Sequence, residues 1–110
     1  MKLHKMMIDR AVYGPNREKT MESIQVLADP SETFGIYYNK LDKYARFIVT
    51  HIPTGYKSGS SATQRGAREL IGRLLALPVD WTEADADRLK ASLSGGEIAG
   101  QARQIISQYR

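Results

Sequence analysis

The run Tyr44-Ala45-Arg46-Phe47-Ile48-Val49-Thr50-His51-Ile52 constrains the fold more than any other part of the chain. It is rich in β-branched and aromatic residues, which suit a pleated, half-buried surface. Ala45, Phe47, Val49 and His51 alternate with Arg46, Ile48, Thr50 and Ile52, so the run reads as a strand with two distinct faces. Pro53-Thr54-Gly55 stops it, because proline supplies no donor to a ladder. Upstream, Phe34 to Asn39 is also strand-forming, and Asn39-Lys40-Leu41-Asp42-Lys43 is a polar connection. A β-hairpin over residues 34–52 is the economical reading.

After Ile52 the hydrophobic period changes. Lys57 to Thr63 reads as a loop of small residues. Ser61 and Gln64 have the spacing of a capping box, and Ala67, Leu70, Ile71, Leu74 and Leu75 then recur at helical spacing up to Pro78. Thr82 is placed to cap a second helix, with Glu83 and Asp85 in its first turn, Leu89 and Leu93 one turn apart and Gly95-Gly96 at its end. A third helix from about Glu97 carries Ile98, Ala102, Ile105, Ile106 and Tyr109 on one stripe. The N-terminal third is less decided. Over 21–28, Ile24, Val26 and Ala28 alternate as a strand would, while Met21, Ile24, Leu27 and Ala28 also fit a helical face; the short run before Asp29-Pro30-Ser31 favours the strand. Within 1–19, Leu3, Met7 and Ala11 fit a helical stripe that Gly14-Pro15-Asn16 interrupts. Strands that precede helices predict an α+β domain. It is a small antiparallel sheet, the hairpin plus an additional N-terminal strand, with three helices packed on one face, as a single domain over residues 1–110.

The absent residues narrow the chemistry. The 110 residues include no Cys, so disulfides, thiolate catalysis and Cys-ligated zinc are excluded. No apolar run approaches the roughly 18 residues that a membrane span requires, which predicts a cytoplasmic protein with no membrane partner. His4 and His51 are far apart in sequence, and no third ligand accompanies either, so no metal and no cofactor is expected. His51 reads as a satisfied histidine at a strand end. Neither a nucleophile elbow nor a paired acid and base is present, which argues against an enzyme.

Charge points to a partner instead. The net charge is +4, but from Lys40 to Arg73 seven basic residues face two acidic ones, a local excess of +5. From Ala76 to Asp87 four acids (Asp80, Glu83, Asp85, Asp87) stand without a base. An amide-rich loop from Gly55 to Ser61 that feeds a helix N-terminus suits an anion. Lys40, Lys43, Arg46, Tyr56, Lys57, Arg65 and Arg68 are therefore the candidate nucleic-acid or anion-binding residues. Among Tyr37, Tyr38, Tyr44, Phe47 and Tyr56, packing is expected of Tyr38 and Phe47, and exposure of Tyr56. The lone Trp81 reads as a plug at a helix corner. With Asp85 it is also the candidate anchor for a protein partner. The expected partners are DNA or RNA through phosphate contacts, or else a host protein; a homodimer is open.

The segment Arg46-Phe47-Ile48-Val49-Thr50-His51-Ile52-Pro53-Thr54-Gly55, followed by a loop and an Ala/Leu helix, resembles small proteins of phages and mobile elements over about 30 residues. That resemblance implies an accessory protein that acts by binding. It would bind nucleic acid or, alternatively, inhibit a host nucleic-acid-processing complex. The same strand–loop–helix stretch is loosely similar to the second half of a double-stranded-RNA-binding domain. Where that family opens its helix with a lysine pair, this chain carries Arg65 and Arg68, and the family's leading helix is not evident. No catalytic residue carries over from either resemblance.

Overall fold

A computed structural model describes residues 1–40, 46–93 and 96–109. Among the described residues five strands precede three helices: β1 (His4–Tyr13), β2 (Lys19–Ala28), β3 (Phe34–Tyr38), β4 (Phe47–His51), β5 (Tyr56–Ser61), α1 (Gln64–Leu75), α2 (Ala86–Leu93) and α3 (Gly96–Ser107). The strands form one antiparallel meander in the order β1-β2-β3-β4-β5, so the fold is α+β. The 34–52 hairpin is present as β3 and β4, with Ile36 opposite Val49 and Tyr38 opposite Phe47.

Two strands depart from the sequence reading. The Leu3/Met7/Ala11 stripe is not helical; Met7 and Ala11 belong to an extended arm in which Ile8 pairs with Ile24 and Met6 with Val26. Tertiary pairing overrides the helical spacing here, and Gly14-Pro15-Asn16 serves as the turn between β1 and β2. The small-residue run Tyr56–Ser61 is not a loop but β5, laddered to β4. Weak strand formers are tolerated because Gly59 must be small: a Cβ there would lie 2.8 Å from Leu70 Cδ2. The register shifts between Val49 and Thr50, leaving Ser58 as the extra residue of a bulge.

One face of β3–β5 carries the main core. Phe34, Ile36 and Val49 pack there against Ala67, Leu70, Ile71 and Leu74 of α1 and Ile105 of α3. Each fully buried side chain of this size contributes about 1.5–3 kcal/mol. Thr63, not Ser61, caps α1: its side chain accepts from the Gly66 amide at 3.0 Å, while Ser61 Oγ accepts from the Thr63 amide at 3.3 Å. Thr82 likewise does not cap α2. Asp85 does, its carboxylate accepting from the amides of Asp87 (2.9 Å) and Arg88 (3.1 Å).

The opposite sheet face is also enclosed. By register, Gly35, Ile48 and Thr50 point away from the helices, yet Ile48 is 3% and Thr50 2% exposed. The β1–β2 arm supplies the cover. It pairs with β3 only at Leu27–Ile36 and Ala28–Gly35, then bends back, bringing buried Ile8 and Val26 onto this face. The Ala11 amide closes the curl by donating to the Gly55 carbonyl at 2.9 Å. Gly55 has φ +76°, and a Cβ there would lie 2.7 Å from Asp9 O, so only glycine fits this contact without strain. Among the described residues no helix is long and apolar enough to cross a membrane.

Candidate functional site

The two ends of the curled sheet differ in chemistry. At the first end lie the C-terminus of β3, the N-terminus of β4 and the start of α1, brought together because Phe47 pairs with both Tyr38 and Ser61. Tyr38 and Phe47 pack in a tilted arrangement with ring centroids 5.3 Å apart. Phe47 is half-buried on the core, whereas Tyr38 is 54% exposed. With Lys5, Leu27 and Gln64 they line an open depression of about 330 Å³. Lys40 and Arg46 lie at this end of the β3–β4 pair, where the Asn39 amide donates to the Arg46 carbonyl at 2.6 Å. Arg65 stands exposed on the first turn of α1, with Glu69 at 3.6 Å. An exposed ion pair of this kind contributes less than about 1 kcal/mol. Arg68, one turn on, donates to the Met1 carbonyl.

At the other end, buried His51 joins three segments. Its Nε2 lies 2.6 Å from the Trp81 carbonyl oxygen and its Nδ1 2.8 Å from Thr54 Oγ1. A carbonyl only accepts, so Nε2 carries the proton and Thr54 donates to Nδ1. Burial lowers the His51 pKa, and the hydrogen bond to Trp81 offsets this only in part. Both ring nitrogens are occupied, as befits a structural histidine. Trp81 packs edge-on against Phe34 at 5.0 Å and its Nε1 donates to the Leu74 carbonyl at 2.9 Å, plugging the corner after α1. No family model, curated protein or solved structure matches this chain. Its function has to be read from its own geometry.

Beside His51 a cleft of about 440 Å³ opens between β5 and helices α2 and α3. Leu74, Trp81, Leu89, Ala102 and Ile106 give it apolar walls, and Tyr13, Tyr56, Lys57, Asp87 and Lys90 also line it. Tyr13 O–H donates to the Tyr56 oxygen at 2.8 Å, and Lys19 Nζ lies 5.1 Å from the Tyr56 ring centroid. The Tyr13 bond lowers the Tyr56 pKa, assisted by Lys19, and the same bond raises that of Tyr13.

The expected basic surface therefore divides. Lys40, Arg46, Arg65 and Arg68 gather around the Tyr38 end. Tyr56 and Lys57 sit at the far end of β5, roughly 15 Å away at about 3.3 Å per residue. Lys43 and Tyr44 lie outside the described residues. Tyr56–Ser61 is a strand, the Gly55 amide donates to the His51 carbonyl and Thr63 caps the helix, so the expected anion loop is not formed. Tyr56 is half-buried, and Tyr38, expected to pack, is the exposed ring. Trp81 is half-buried in its plug. The acids of the −4 stretch serve local structure: Asp85 caps α2, and Asp80 accepts from the Thr82 hydroxyl and amide, which lowers its pKa. Lys5, Tyr13, Lys19 and Lys90 were not singled out by sequence. Only their pairing across β1–β2 and the α2–β5 approach brings them to a site.

Proposed function

We propose that this chain is a small accessory protein of the mobile-element type that binds single-stranded nucleic acid at the Tyr38 end of its sheet. The observation that carries this reading is the exposed Tyr38 ring, packed on Phe47 beside Lys5, with Lys40, Arg46 and Arg65 on the segments that meet at this end of the sheet. A ring supported by a second ring is pre-organised to stack on an unpaired base, while the cations take the flanking phosphates. The open depression accommodates splayed bases better than a duplex, whose bases are stacked inside. Sequence-tolerant contact follows, since every base offers a π-face. A Cys-free chain suits the reducing cytoplasm where such a role would be played.

Fluorescence anisotropy with labelled oligo(dT), oligo(U) and a duplex of equal length tests this. Single strands should bind more tightly than the duplex. Engagement of four cations should give a log–log salt slope of about −2.8, from about −0.7 per phosphate. No change with any of the three at about 100 µM protein and about 50 mM salt contradicts the proposal, because even non-specific binding falls in that range.

A second reading, an inhibitor of a host nucleic-acid-processing complex, is favoured by one observation. Met7 and Met21 are 62% and 52% exposed on the β1–β2 arm. Methionine suits adaptable protein-binding surfaces. Its test is a salt-resistant complex with one host protein that a Met7→Lys/Met21→Lys variant fails to form.

A further inference from the structure

We infer that the cleft between β5, α2 and α3 is a binding site for a small amphipathic anion, an aromatic or aliphatic carboxylate whose apolar body enters between Leu74, Trp81, Leu89 and Ile106. The site is separate from the Tyr38 end and independent of what binds there. Its size is right: about 440 Å³ lies within the usual range for small-ligand pockets and holds about 15 non-hydrogen atoms at about 30 Å³ each. Its chemistry is also that of a ligand pocket, with apolar walls and a few convergent polar groups at one side.

The polar side selects charge. Lys90 lines the cleft and Lys19 stands against the Tyr56 ring at its edge, two cations to the single carboxylate of Asp87 among the lining residues. Tyr56 adds a directed donor. Its oxygen accepts from the Tyr13 hydroxyl, so its own proton is not spent on that bond and remains for a ligand oxygen. The lowered Tyr56 pKa agrees, since a more acidic phenol donates more strongly to a carboxylate. His51, neutral and doubly bonded, closes the floor without adding charge.

Trp81, the single tryptophan, lines the cleft and reports on it. The intact protein is titrated with 4-phenylbutyrate and with its neutral amide while Trp81 emission is followed. Ligands this small bind in the millimolar range or tighter. The acid should give a saturable change and the amide should bind at least about fivefold more weakly, the scale of a lost charge-assisted hydrogen bond. Ala86→Phe, placed at the cleft wall, should abolish the response. Lys19→Gln/Lys90→Gln should weaken the acid to the level of the amide, and Tyr56→Phe should weaken it in part. The inference is overturned by no saturable change with the acid up to about 10 mM. It is overturned equally by equal binding of acid and amide, or by binding that survives Ala86→Phe. A change in Trp81 emission that follows protein concentration alone would assign the cleft to a second copy of the chain, and would also overturn it.

Discussion

His51 Nε2 donates to the Trp81 carbonyl at 2.6 Å, tying the end of β4 to the corner after α1 across 30 residues of chain. Folding places a neutral imidazole there, because burial disfavours the charged form. The sign of the pH dependence follows. The folded pKa lies below the ordinary value of 6.5, so in acid the unfolded chain takes up the proton first. The tie is fully stabilising above about pH 6.5 and its contribution is lost as pH falls from there through the lower folded pKa. Thermal unfolding of the wild type should therefore show a midpoint falling from pH 7 to 5 more steeply than that of His51→Gln. At pH 7.5 the variant should be less stable by about 1–3 kcal/mol, the cost of leaving a buried partner unpaired. Parallel pH profiles would show that His51 is not buried neutral.

Two glycines of α1 look alike in sequence and are opposite in structure. A Cβ on Gly66 would lie 2.1 Å from Ser61 Oγ, inside the helix cap, whereas a Cβ on Gly72 meets nothing within 4 Å. Gly72→Ala should raise stability by about 0.5–1 kcal/mol, the ordinary gain in an open helix interior. Gly66→Ala should lower it, because Ser61 must move and release the Thr63 amide it accepts. Denaturant midpoints of the two variants check both signs.

Asp29 is fully buried at the β2–β3 turn, and its carboxylate accepts from the amides of Ser31 (2.8 Å), Thr33 (3.1 Å) and Phe34 (2.6 Å) and from the Ser31 hydroxyl. Asp29→Ala leaves those donors without their acceptor and should cost about 2–4 kcal/mol, several times a surface substitution. Asp29→Asn, which keeps one acceptor oxygen, should cost less. Urea unfolding at neutral pH measures the ranking.

The hairpin and all three helices are legible from hydrophobic period, because Phe47-Ile48-Val49 and the Leu70/Ile71/Leu74 stripe each match one period only; β2 is legible only in part, because Met21, Ile24, Leu27 and Ala28 also fit a helical face. β1 is not, since Leu3, Met7 and Ala11 satisfy the helical period by coincidence and only the partner strand decides. Tyr56–Ser61 is hidden for a different reason. Its glycine and serines have poor strand propensity, and they are there to let Leu70 and the α1 cap approach closely. Local charge was readable as an excess but not as a surface. Lys40, Arg46 and Arg65 meet because strand pairing folds their segments to one end, and the same ladder carries Lys57 to the other. Exposure of Tyr38 rather than Tyr56 depends on the β1–β2 arm, which brings Tyr13 over Tyr56.

Affinity for a labelled oligo(dT) in variants placed at the two ends of the sheet is the most direct measurement. Tyr38→Leu should lose about tenfold, within the range for one stacked base, and Tyr38→Phe should retain the wild-type affinity. Arg46→Gln/Arg65→Gln should weaken binding and lower the salt slope by about 1.4, two phosphates' worth. Lys57→Gln, at the far end of β5, should change affinity by less than about twofold, the residual long-range effect of one screened charge. Equal losses at both ends, or an unchanged Tyr38→Leu, would contradict recognition at the Tyr38 end.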